Sequence, residues 1–423
     1  MSGVRRVTVP GDKSISHRAL MLSALATGES VLRGVLPSAD VQRTAAVLGA
    51  MGVNVVAQWD SDTVLRIVGK GRRGLTQPTV PLDCGNSGTT ARLMAGVVAG
   101  HPMLATFMGD ASLSRRPMRR IARPLTRMGA SFRFDGDDGL PMTVQGGELH
   151  GIDWVSPTAS AQVKSAVLLA ALTSGQSARV QESLRSRDHT ERMLAALGAP
   201  VTVTGDGVRL DPVASLSPLD FEVPGDPSSA LFLIASAVLR GLAIEVRNVG
   251  VNATRGGAFQ VLERMGVSLS FENQRSAGGE PVADICVAPS TGLRGTDISG
   301  AEVPSLIDEI PILACLAAVA EGETRITGAA ELRVKESDRI SAVVANLRAI
   351  GADADELPDG MVIRGGAREL KGHIITHADH RIAMAFGVLG SFGENAVRVD
   401  DRTCVDVSFP GFWEALAGIG ASQ

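Results

Sequence analysis

The residues best suited to chemistry are cations, hydroxyls and amides that recur in short polar segments. The first segment, Lys13-Ser14-x-Ser16-x-Arg18, places an ammonium, two hydroxyls and a guanidinium within roughly one and a half helical turns. These groups supply the charge and the hydrogen-bond donors that a phosphate needs at a helix start. The spacing is not that of a P-loop, which reads Gly-x-x-x-x-Gly-Lys-Ser/Thr. Taken alone, a capped helix with solvated charges would have the same pattern.

A dense group of cations runs from Arg115 to Arg120, after a loop and next to an expected helix start. Charge runs of this kind usually form a solvated face, so the group indicates an anion site only together with other segments. The same applies to the segment from Arg185 to Glu191, in which Arg187 is the candidate cation.

Acidic side chains that could move protons lie in the second half of the chain. Helical spacing within the segment 331–339 predicts that Lys335 and Arg339 share one face, with Glu336 beside them. Two cations and a candidate proton carrier would then project together. A salt-bridged surface helix is the alternative interpretation.

Two further acidic segments open apolar helices. Asp308-Glu309 precedes one such helix, and an N-cap would explain one of its two carboxylates. Asp379 precedes another, followed by His380 and Arg381, and it could also be a simple cap.

These segments belong to an internal repeat. Each polar opening precedes an apolar, small-residue run, and a second helical segment ends some tens of residues later in an apolar residue and Gly, as suits a left-handed residue beyond a helix. The unit of about 70 residues is longer than usual solenoid repeats and predicts a small subdomain of strands and helices. The openings are Gly11–Ser14, Gly85–Thr89, Ser160–Lys164, Gly225–Ser229, Asp308–Pro311 and Asp379–Arg381. The closures are Met51-Gly52, Met128-Gly129, Leu197-Gly198, Met265-Gly266, Ile350-Gly351 and Ile419-Gly420.

Helices that are apolar nearly all round are buried, and their polar starts emerge where backbone N–H groups can meet an anion. Segments of period two, at residues 131–134, 201–204 and 268–271, predict half-buried strands. The segment Val223–Pro227 interrupts both patterns and marks a boundary between two domains of three repeats each. We therefore expect buried helices, outer sheets and a ligand cleft between the domains.

Composition narrows the function classes. The chain has 423 residues, 44% of them hydrophobic, and a net charge of −4, which argues against a nucleic-acid or membrane-surface partner. Tyr is absent and aromatic residues make up 3%, too few for base-stacking platforms. Four scattered cysteines without metal-ligand spacing indicate reduced structural thiols and no metal. No signal peptide or membrane span is evident. We expect a cytoplasmic monomer that needs no cofactor.

The motifs together resemble the 5-enolpyruvylshikimate-3-phosphate synthases, the enolpyruvyl transferases of the shikimate pathway, over essentially the whole chain. The shared motifs are Lys13 to Arg18, Gly85 to Thr89, Arg333 to Arg339 and His380-Arg381. Four strings are similar to the family's second class, which includes many glyphosate-tolerant members: Arg116-Pro117-Met118-x-Arg120, Ser160-Ala161-Gln162-x-Lys164, Arg187-x-His189-x-Glu191 and Asn252-x-Thr254-Arg255.

The resemblance implies an α/β (α+β) fold, an inside-out barrel of two domains, each with three βαβαββ units. Residues 12–224 would form the N-terminal domain, residues 1–11 and 225–423 the C-terminal domain, with the active site in the cleft between them. Shikimate 3-phosphate would be bound by Lys13, Ser14, Arg18, Ser160, Ala161, Gln162, Arg187, Asp308 and Lys335. Phosphoenolpyruvate would be bound by Lys13, Gly88, Arg116, Gln162, Glu336, Arg339 and Arg381.

The implied chemistry is addition of the 5-hydroxyl of shikimate 3-phosphate to C2 of phosphoenolpyruvate, followed by loss of phosphate. Lys13, Asp308 and Glu336 are the candidate proton carriers, since burial among opposite charges could retune each of them. Two positions depart from some family members. Val407 stands where some carry Lys, and Gly88 stands where some glyphosate-tolerant members carry Ala.

Two alternatives stay open. The related UDP-N-acetylglucosamine enolpyruvyl transferases share the implied fold, but they usually have Lys-Asn at the first motif and a reactive Cys in a mobile loop. Here the first motif is Lys13-Ser14, and no Cys lies between Ala111 and Arg120. A non-catalytic anion-binding module would need the cations but would have no use for Asp308 and Glu336.

Overall fold

The computed structural model describes residues 4–56, 59, 64–290 and 292–421. The chain divides into two compact units, one of residues 11–223 with 276–280, here called the N-terminal unit, and one of residues 1–10, 224–275 and 281–423, here called the C-terminal unit. Residues 1–3 of the expected segment 1–11, and residues 57, 58, 60–63, 291, 422 and 423 of the two expected domains, lie outside the described residues.

The helices are of two kinds, six that are buried and open the repeats, and others that are partly exposed. The α-helices are α1 Lys13–Leu25, α2 Ala39–Ala50, α3 Gly88–Ala99, α4 Ala111–Ser114, α5 Arg119–Met128, α6 Ala161–Ser174, α7 His189–Ala196, α8 Pro227–Leu239, α9 Gly257–Arg264, α10 Ile310–Val319, α11 Arg339–Ala349, α12 His380–Gly390 and α13 Phe412–Gly420. Short 3-10 helices span Val303–Ser305, Ile307–Glu309, Ala330–Val334 and Thr403–Val407.

The strands are short and lie between these helices. They are β1 Arg5–Val7, β2 Thr27–Arg33, β3 Val55–Val56, β4 Val64–Lys70, β5 Leu82–Asp83, β6 Leu104–Met108, β7 Ser131–Phe134, β8 Met142–Gln145, β9 Ile152–Ser156, β10 Ala178–Glu182, β11 Val201–Thr204, β12 Gly207–Leu210, β13 Asp220–Glu222, β14 Ile244–Gly250, β15 Leu269–Ala277, β16 Glu280–Val287, β17 Asp297–Ile298, β18 Glu323–Ile326, β19 Asp353–Leu357, β20 Gly360–Arg364, β21 Lys371–Ile374 and β22 Ala396–Val399. The three strands expected from period-two segments are β7, β11 and β15.

The repeat is visible in the sheets. In the third repeat the order along the chain is β9, α6, β10, α7, β11 and β12, the βαβαββ pattern, and the spatial order is β9-β10-β12-β11. The first pair is parallel and the other two pairs are antiparallel. Among the described residues, five four-stranded sheets share this order, and the last repeat has only the parallel pair β21-β22.

Two sheets are completed by strands from elsewhere in the chain. Strand β13 takes the first position beside β2 and pairs with it in parallel, with Phe221 opposite Leu32. Strand β1 takes the same position beside β14, with Arg6 opposite Glu245. Each unit therefore closes its own set of repeats with a strand that is distant in sequence.

The six expected buried helices are α1, α3, α6, α8, α10 and α12, and almost every residue in them is buried. Apart from a few buried polar residues such as Arg18 and Lys164, their sequences are apolar or small all round, so no face can turn to water at low cost. Each unit has its own hydrophobic core built around three of these helices. No helix in the described part of the chain is long and apolar enough to cross a membrane.

The expected left-handed glycine beyond the second helix is present in five of the six repeats. Gly52, Gly129, Gly198, Gly266 and Gly351 all have positive φ, between 86° and 117°. The sixth expectation is wrong, because Gly420 is the last residue of α13 and Ala421 follows it as the C-cap in an extended conformation. The helix there ends without a left-handed residue.

Candidate active-site residues in the two units

The first polar segment forms the start of α1 in the N-terminal unit. Asp12 caps the helix by accepting a hydrogen bond from the backbone N–H of Ile15 at 2.8 Å. Lys13 is the first helical residue, and its Nζ forms an ion pair with Asp40. Ser14 follows it on the first turn. The expected cation and hydroxyl therefore lie at a helix start, with the ammonium partly exposed.

Arg18 lies one turn further into α1 and is buried. Its Nε donates to Thr190 Oγ1 at 2.7 Å, and its Nη2 donates to Ser165 Oγ at 2.8 Å. The third bond, from Nη1, goes to the carbonyl oxygen of Ser14 at 2.9 Å. Burial lowers the pKa of Arg18 to about 10, although Glu191 opposes this shift. The guanidinium therefore stays charged at neutral pH and ties the first repeat of the unit to the third.

A second group of cations lies at the start of α3. A Cβ atom built on Gly88 would lie 2.9 Å from Arg92 Nη1 and 3.5 Å from Arg116 Nη1. Arg116 Nη2 donates to Asn86 Oδ1 at 2.7 Å, and Arg92 Nη1 donates to Gln162 Oε1 at 2.8 Å. The expected residues Gly88, Arg116 and Gln162 are thus brought together, and the glycine leaves room beside two guanidinium groups.

Arg92 is a residue that the sequence reasoning missed. It is buried and lies four positions after Gly88, on the same face of α3. That spacing was a signal in the sequence, since any side chain one turn beyond an anion-binding helix start can reach back to it.

The third repeat contributes the start of α6. Ser160 is the N-cap, and its side chain accepts a hydrogen bond from the N–H of Val163. Ala161 is the first helical residue and Gln162 the second. Arg187 lies in the loop before α7, which begins at His189.

The sequence motif includes Lys164, but its structural role in this unit was not predicted. It is buried and pairs with Glu182 at 2.8 Å and Glu191 at 2.9 Å. Burial alone favours the neutral amine, but the two carboxylates raise the pKa of Lys164 above its ordinary value. This ammonium is therefore engaged in holding α6, β10 and α7 together.

In the C-terminal unit, Asp308 brings two of the expected cations together. Lys335 Nζ and Arg339 Nη1 each lie 3.3 Å from Asp308 Oδ1. The prediction of one helix over 331–339 is wrong, because the 3-10 helix ends at Val334, Lys335 is extended, and α11 begins only at Arg339. The two cations converge through a shared carboxylate and not through helical spacing.

Arg339 is the most enclosed cation of this unit, with a side chain 1% exposed. It donates to Asp379 Oδ2 at 2.8 Å and to Glu336 Oε2 at 2.7 Å. Burial alone would lower the pKa of Arg339, but Asp379, Glu336 and Asp308 raise it above its ordinary value. Burial would likewise raise the pKa of Asp379, but Arg339 holds it below its ordinary range.

The acidic pair before α10 does not cap that helix, contrary to the expectation. Glu309 occupies the N-cap position without a side-chain capping bond, and Asp308 bonds to the cations described above. Glu309 instead accepts from Arg381 Nη1 at 3.4 Å. Arg381 Nη1 also donates to the carbonyl oxygen of Asp308 at 2.9 Å. Asp379 is a cap as expected, accepting from the N–H of Arg381 at 3.0 Å, in addition to its bonds with Arg339.

The C-terminal unit thus has a cluster of three cations and four carboxylates, the latter being Asp308, Glu309, Glu336 and Asp379. Lys335, Arg339 and Arg381 are the cations of this cluster, and Asp308 and Glu336 are carboxylates in it that can accept a proton. Among the residues that the structure describes, no three His, Cys, Asp or Glu side chains form a metal-binding group.

Comparison with known proteins agrees with this chemistry. The profile of the family described as EPSP synthase (3-phosphoshikimate 1-carboxyvinyltransferase) matches residues 4–416. A 3-phosphoshikimate 1-carboxyvinyltransferase from Herpetosiphon aurantiacus is 47% identical over 420 residues, covering 98% of this chain and 96% of that protein. One from Desulforudis audaxviator is 49% identical over 410 residues, covering 96% and 95%.

Solved structures give the same result at the level of the fold. An EPSP synthase from Acinetobacter baumannii superimposes with a TM-score of 0.86 at 40% sequence identity, covering 99% of this chain and 97% of that chain. Sequence and structure therefore agree over nearly the full length of both. The chain belongs to the EPSP synthase family.

Proposed function

We propose that the chain transfers the enolpyruvyl group of phosphoenolpyruvate to the 5-hydroxyl of shikimate 3-phosphate and releases phosphate. This is the 3-phosphoshikimate 1-carboxyvinyltransferase reaction of the shikimate pathway, which leads to chorismate and the aromatic amino acids. The observation that carries the proposal is the cluster of Asp308, Glu336, Lys335, Arg339 and Arg381, which combines anion-binding cations with proton-accepting carboxylates in a member of this family.

Each substrate carries a phosphate and a carboxylate, and the cations are assigned accordingly. We assign to shikimate 3-phosphate the residues Ser14, Arg18, Ser160, Ala161, Gln162, Arg187 and Lys335, with Asp308 on its ring hydroxyls. We assign to phosphoenolpyruvate the residues Gly88, Arg116, Gln162, Glu336, Arg339 and Arg381. Lys13 is assigned to both substrates. Bidentate guanidinium groups suit carboxylate and phosphate oxygens, which supports the arginines of the second set.

The reaction has two steps that each move protons. In the first, the 5-hydroxyl loses its proton and its oxygen bonds to C2 of phosphoenolpyruvate, while C3 gains a proton and becomes a methyl group. In the second, the bond between C2 and the phosphate oxygen breaks, C3 loses a proton, and the enol ether and phosphate are released. Lys13, Asp308 and Glu336 are the residues proposed to accept and donate these protons.

The two alternative functions are disfavoured by particular residues. The chain has Lys13-Ser14 at the first motif and no Cys between Ala111 and Arg120, unlike the usual pattern of the UDP-N-acetylglucosamine enolpyruvyl transferases. An anion-binding module without catalysis would not need Glu336 next to the buried Arg339. We also propose that the protein works as a monomer in the cytoplasm, without nucleic-acid partners, because both substrates are small soluble anions.

The direct test is release of inorganic phosphate by the purified protein given both substrates, with controls that lack either one. We expect release only when both are present. Glu336→Gln and Asp308→Asn should then lower kcat about 100-fold or more, as loss of a general acid or base does. Tight substrate binding without phosphate release would favour the anion-binding module, and full turnover by Glu336→Gln would exclude that residue as a proton carrier.

A further inference from the structure

A series of buried polar side chains in the C-terminal unit is connected by hydrogen bonds and ends at Arg381. Arg255 Nη2 donates to Asp226 Oδ1 at 3.0 Å and to Ser228 Oγ at 2.8 Å. Ser228 Oγ in turn donates to Glu309 Oε1. The same carboxylate oxygen accepts from Arg381 Nη1 at 3.4 Å. The sequence reasoning identified none of these groups except Arg381 as a candidate site residue.

This polar chain links the starts of the three buried helices of the unit. Ser228 lies in the first turn of α8, Glu309 directly precedes α10, and Arg381 lies in the first turn of α12. Arg255, Ser228 and Glu309 are each at most 4% exposed. Buried polar groups that are connected in this way rigidify their surroundings, because each group would lose a partner if its neighbour moved.

Glu309 is not explained by its local structure. It stands at an N-cap position but makes no capping bond, and its second oxygen, Oε2, is buried and has no hydrogen-bond partner among the described residues. A buried carboxylate oxygen without a hydrogen-bond partner lowers the stability of the fold. A capping bond from a backbone N–H of α10 to this oxygen would have removed that cost. The contacts that Glu309 does make are to Ser228 and Arg381.

The hydrogen bonds of the Arg381 guanidinium are confined to one edge. In the described part of the chain, Nη1 makes both side-chain bonds, to Glu309 and to the carbonyl oxygen of Asp308. Nε and Nη2 keep their donors for an anion, and the side chain is 12% exposed. A guanidinium that is fixed along one edge presents the other edge in one orientation and loses less entropy on binding a carboxylate or phosphate.

We infer that Glu309 is a positioning residue for phosphoenolpyruvate: anchored by Ser228 and Arg255, it orients Arg381 through Nη1. The inference rests on the proposed assignment of Arg381 to phosphoenolpyruvate. A positioning role depends on the hydrogen-bond acceptor, so Gln at 309 should preserve much of it and Ala should not. A purely electrostatic role would act in the opposite direction, because removal of a negative charge beside Arg381 strengthens its attraction for an anion.

The experiment measures KM for each substrate and kcat in Glu309→Ala, Glu309→Gln, Arg381→Lys and the double variant Glu309→Ala/Arg381→Lys. We expect Glu309→Ala to raise KM for phosphoenolpyruvate roughly tenfold, and Glu309→Gln to stay within about threefold of the parent. KM for shikimate 3-phosphate should change less than about twofold. Because Glu309 acts through Arg381, the double variant should be no worse than Arg381→Lys alone.

A matched control is Glu302→Gln, since Glu302 pairs with Arg264 at 2.9 Å in the same unit and touches none of the groups above. It should leave both KM values unchanged. If Glu309→Ala does not fold, Ser228→Ala replaces it, because loss of the hydroxyl frees the carboxylate while keeping its charge. That variant should raise KM for phosphoenolpyruvate about threefold.

The outcomes separate this inference from the proposed function. If Arg381→Lys raises KM for phosphoenolpyruvate and Glu309→Ala does not, the positioning role is wrong and the assignment of Arg381 stands. Equal decreases of KM in Glu309→Ala and Glu309→Gln, or effects that multiply in the double variant, also overturn the positioning role. If the parent protein releases phosphate but Arg381→Lys leaves KM unchanged, both the assignment and the inference fail. No phosphate release by the parent overturns the proposed function itself.

Discussion

At the scale of single residues, Gly88 controls the space beside two guanidinium groups. The change Gly88→Ala would place a methyl carbon 2.9 Å from Arg92 Nη1 and 3.5 Å from Arg116 Nη1. The ends of these flexible side chains can shift, so we expect little loss of stability but a displaced anion-binding geometry. KM for phosphoenolpyruvate should rise roughly tenfold while KM for shikimate 3-phosphate stays within about twofold, as measured by steady-state kinetics.

The control for this prediction is Gly49→Ala. Gly49 lies in α2, and a Cβ built on it has no heavy atom within 4 Å. Ala there should leave both KM values unchanged and should add slightly to stability, as Gly-to-Ala changes do inside helices. An unchanged KM for phosphoenolpyruvate in Gly88→Ala would contradict the assignment of this glycine to that substrate.

Residue type and spacing were enough to propose candidate anion-binding residues at helix starts, and the structure places several of them there. Lys13, Gly88 and Arg116 could be found because each lies at or near a helix start in a polar segment. Glu309 was not found, because its relevance depends on partners in other repeats. Arg92 was missed although its position one turn after Gly88 was a local signal. Arg92 bonds to a residue 70 positions away, and no local pattern encodes that contact.

At the scale of the elements, Asp379 has two functions at once. It caps α12, and it also holds Arg339 at the start of α11 with bonds of 2.8 and 3.1 Å. Asp379→Asn keeps the shape of the side chain but removes the negative charge that compensates the Arg339 guanidinium, whose side chain is 1% exposed. We expect the free energy of unfolding, measured by denaturant titration, to fall by about 3 kcal/mol, as when one partner of a buried ion pair is removed.

An exposed pair gives the comparison. Arg179 and Asp153 lie 3.4 Å apart with side chains 37% and 59% exposed. Asp153→Asn should cost less than about 0.5 kcal/mol, because water screens such pairs. A similarly small cost in Asp379→Asn would show that the charge of Asp379 is not needed to stabilise Arg339.

The segment 331–339 shows why element boundaries are hard to predict. Its charges fit a helix by spacing, but the first helical turn ends at Val334 and Asp338 caps a new helix through the N–H of Ser341. Asp is among the best N-cap residues, so it favours a helix start at the next position over a continuous helix. The grouping of Lys335 and Arg339 was predicted correctly, although the reason given for it was wrong.

At the scale of the whole molecule, the six repeats could be predicted from the sequence. The two distant strands that complete the first sheet of each unit could not. The openings and most glycine closures recur at regular spacing, which predicts six buried helices. The pairing of β1 with β14, and of β13 with β2, joins segments roughly 190 to 240 residues apart. The period-two pattern predicts strands but carries no information on which strand lies beside which.

Protonation links buried histidines to the stability of the whole chain. Burial is the main reason that the pKa of His17 lies well below its ordinary value of 6.5, and Lys13 and Arg18 lower it further. Burial also lowers the pKa of His101, against a hydrogen bond to the carbonyl of Val97. Below about pH 6.5 the unfolded chain binds protons that the folded chain does not, so stability decreases as the pH falls through this window.

The change His17→Asn isolates the contribution of one imidazole. Asn can keep a hydrogen bond to Thr44 Oγ1, which lies 2.6 Å from His17 Nδ1, but it does not titrate. Denaturant titrations at several pH values should give a loss of unfolding free energy below pH 6.5 that is smaller in this variant, by up to about 1.4 kcal/mol per pH unit. Parallel pH profiles for the parent and His17→Asn would mean that His17 takes up its proton equally in the folded and unfolded chain.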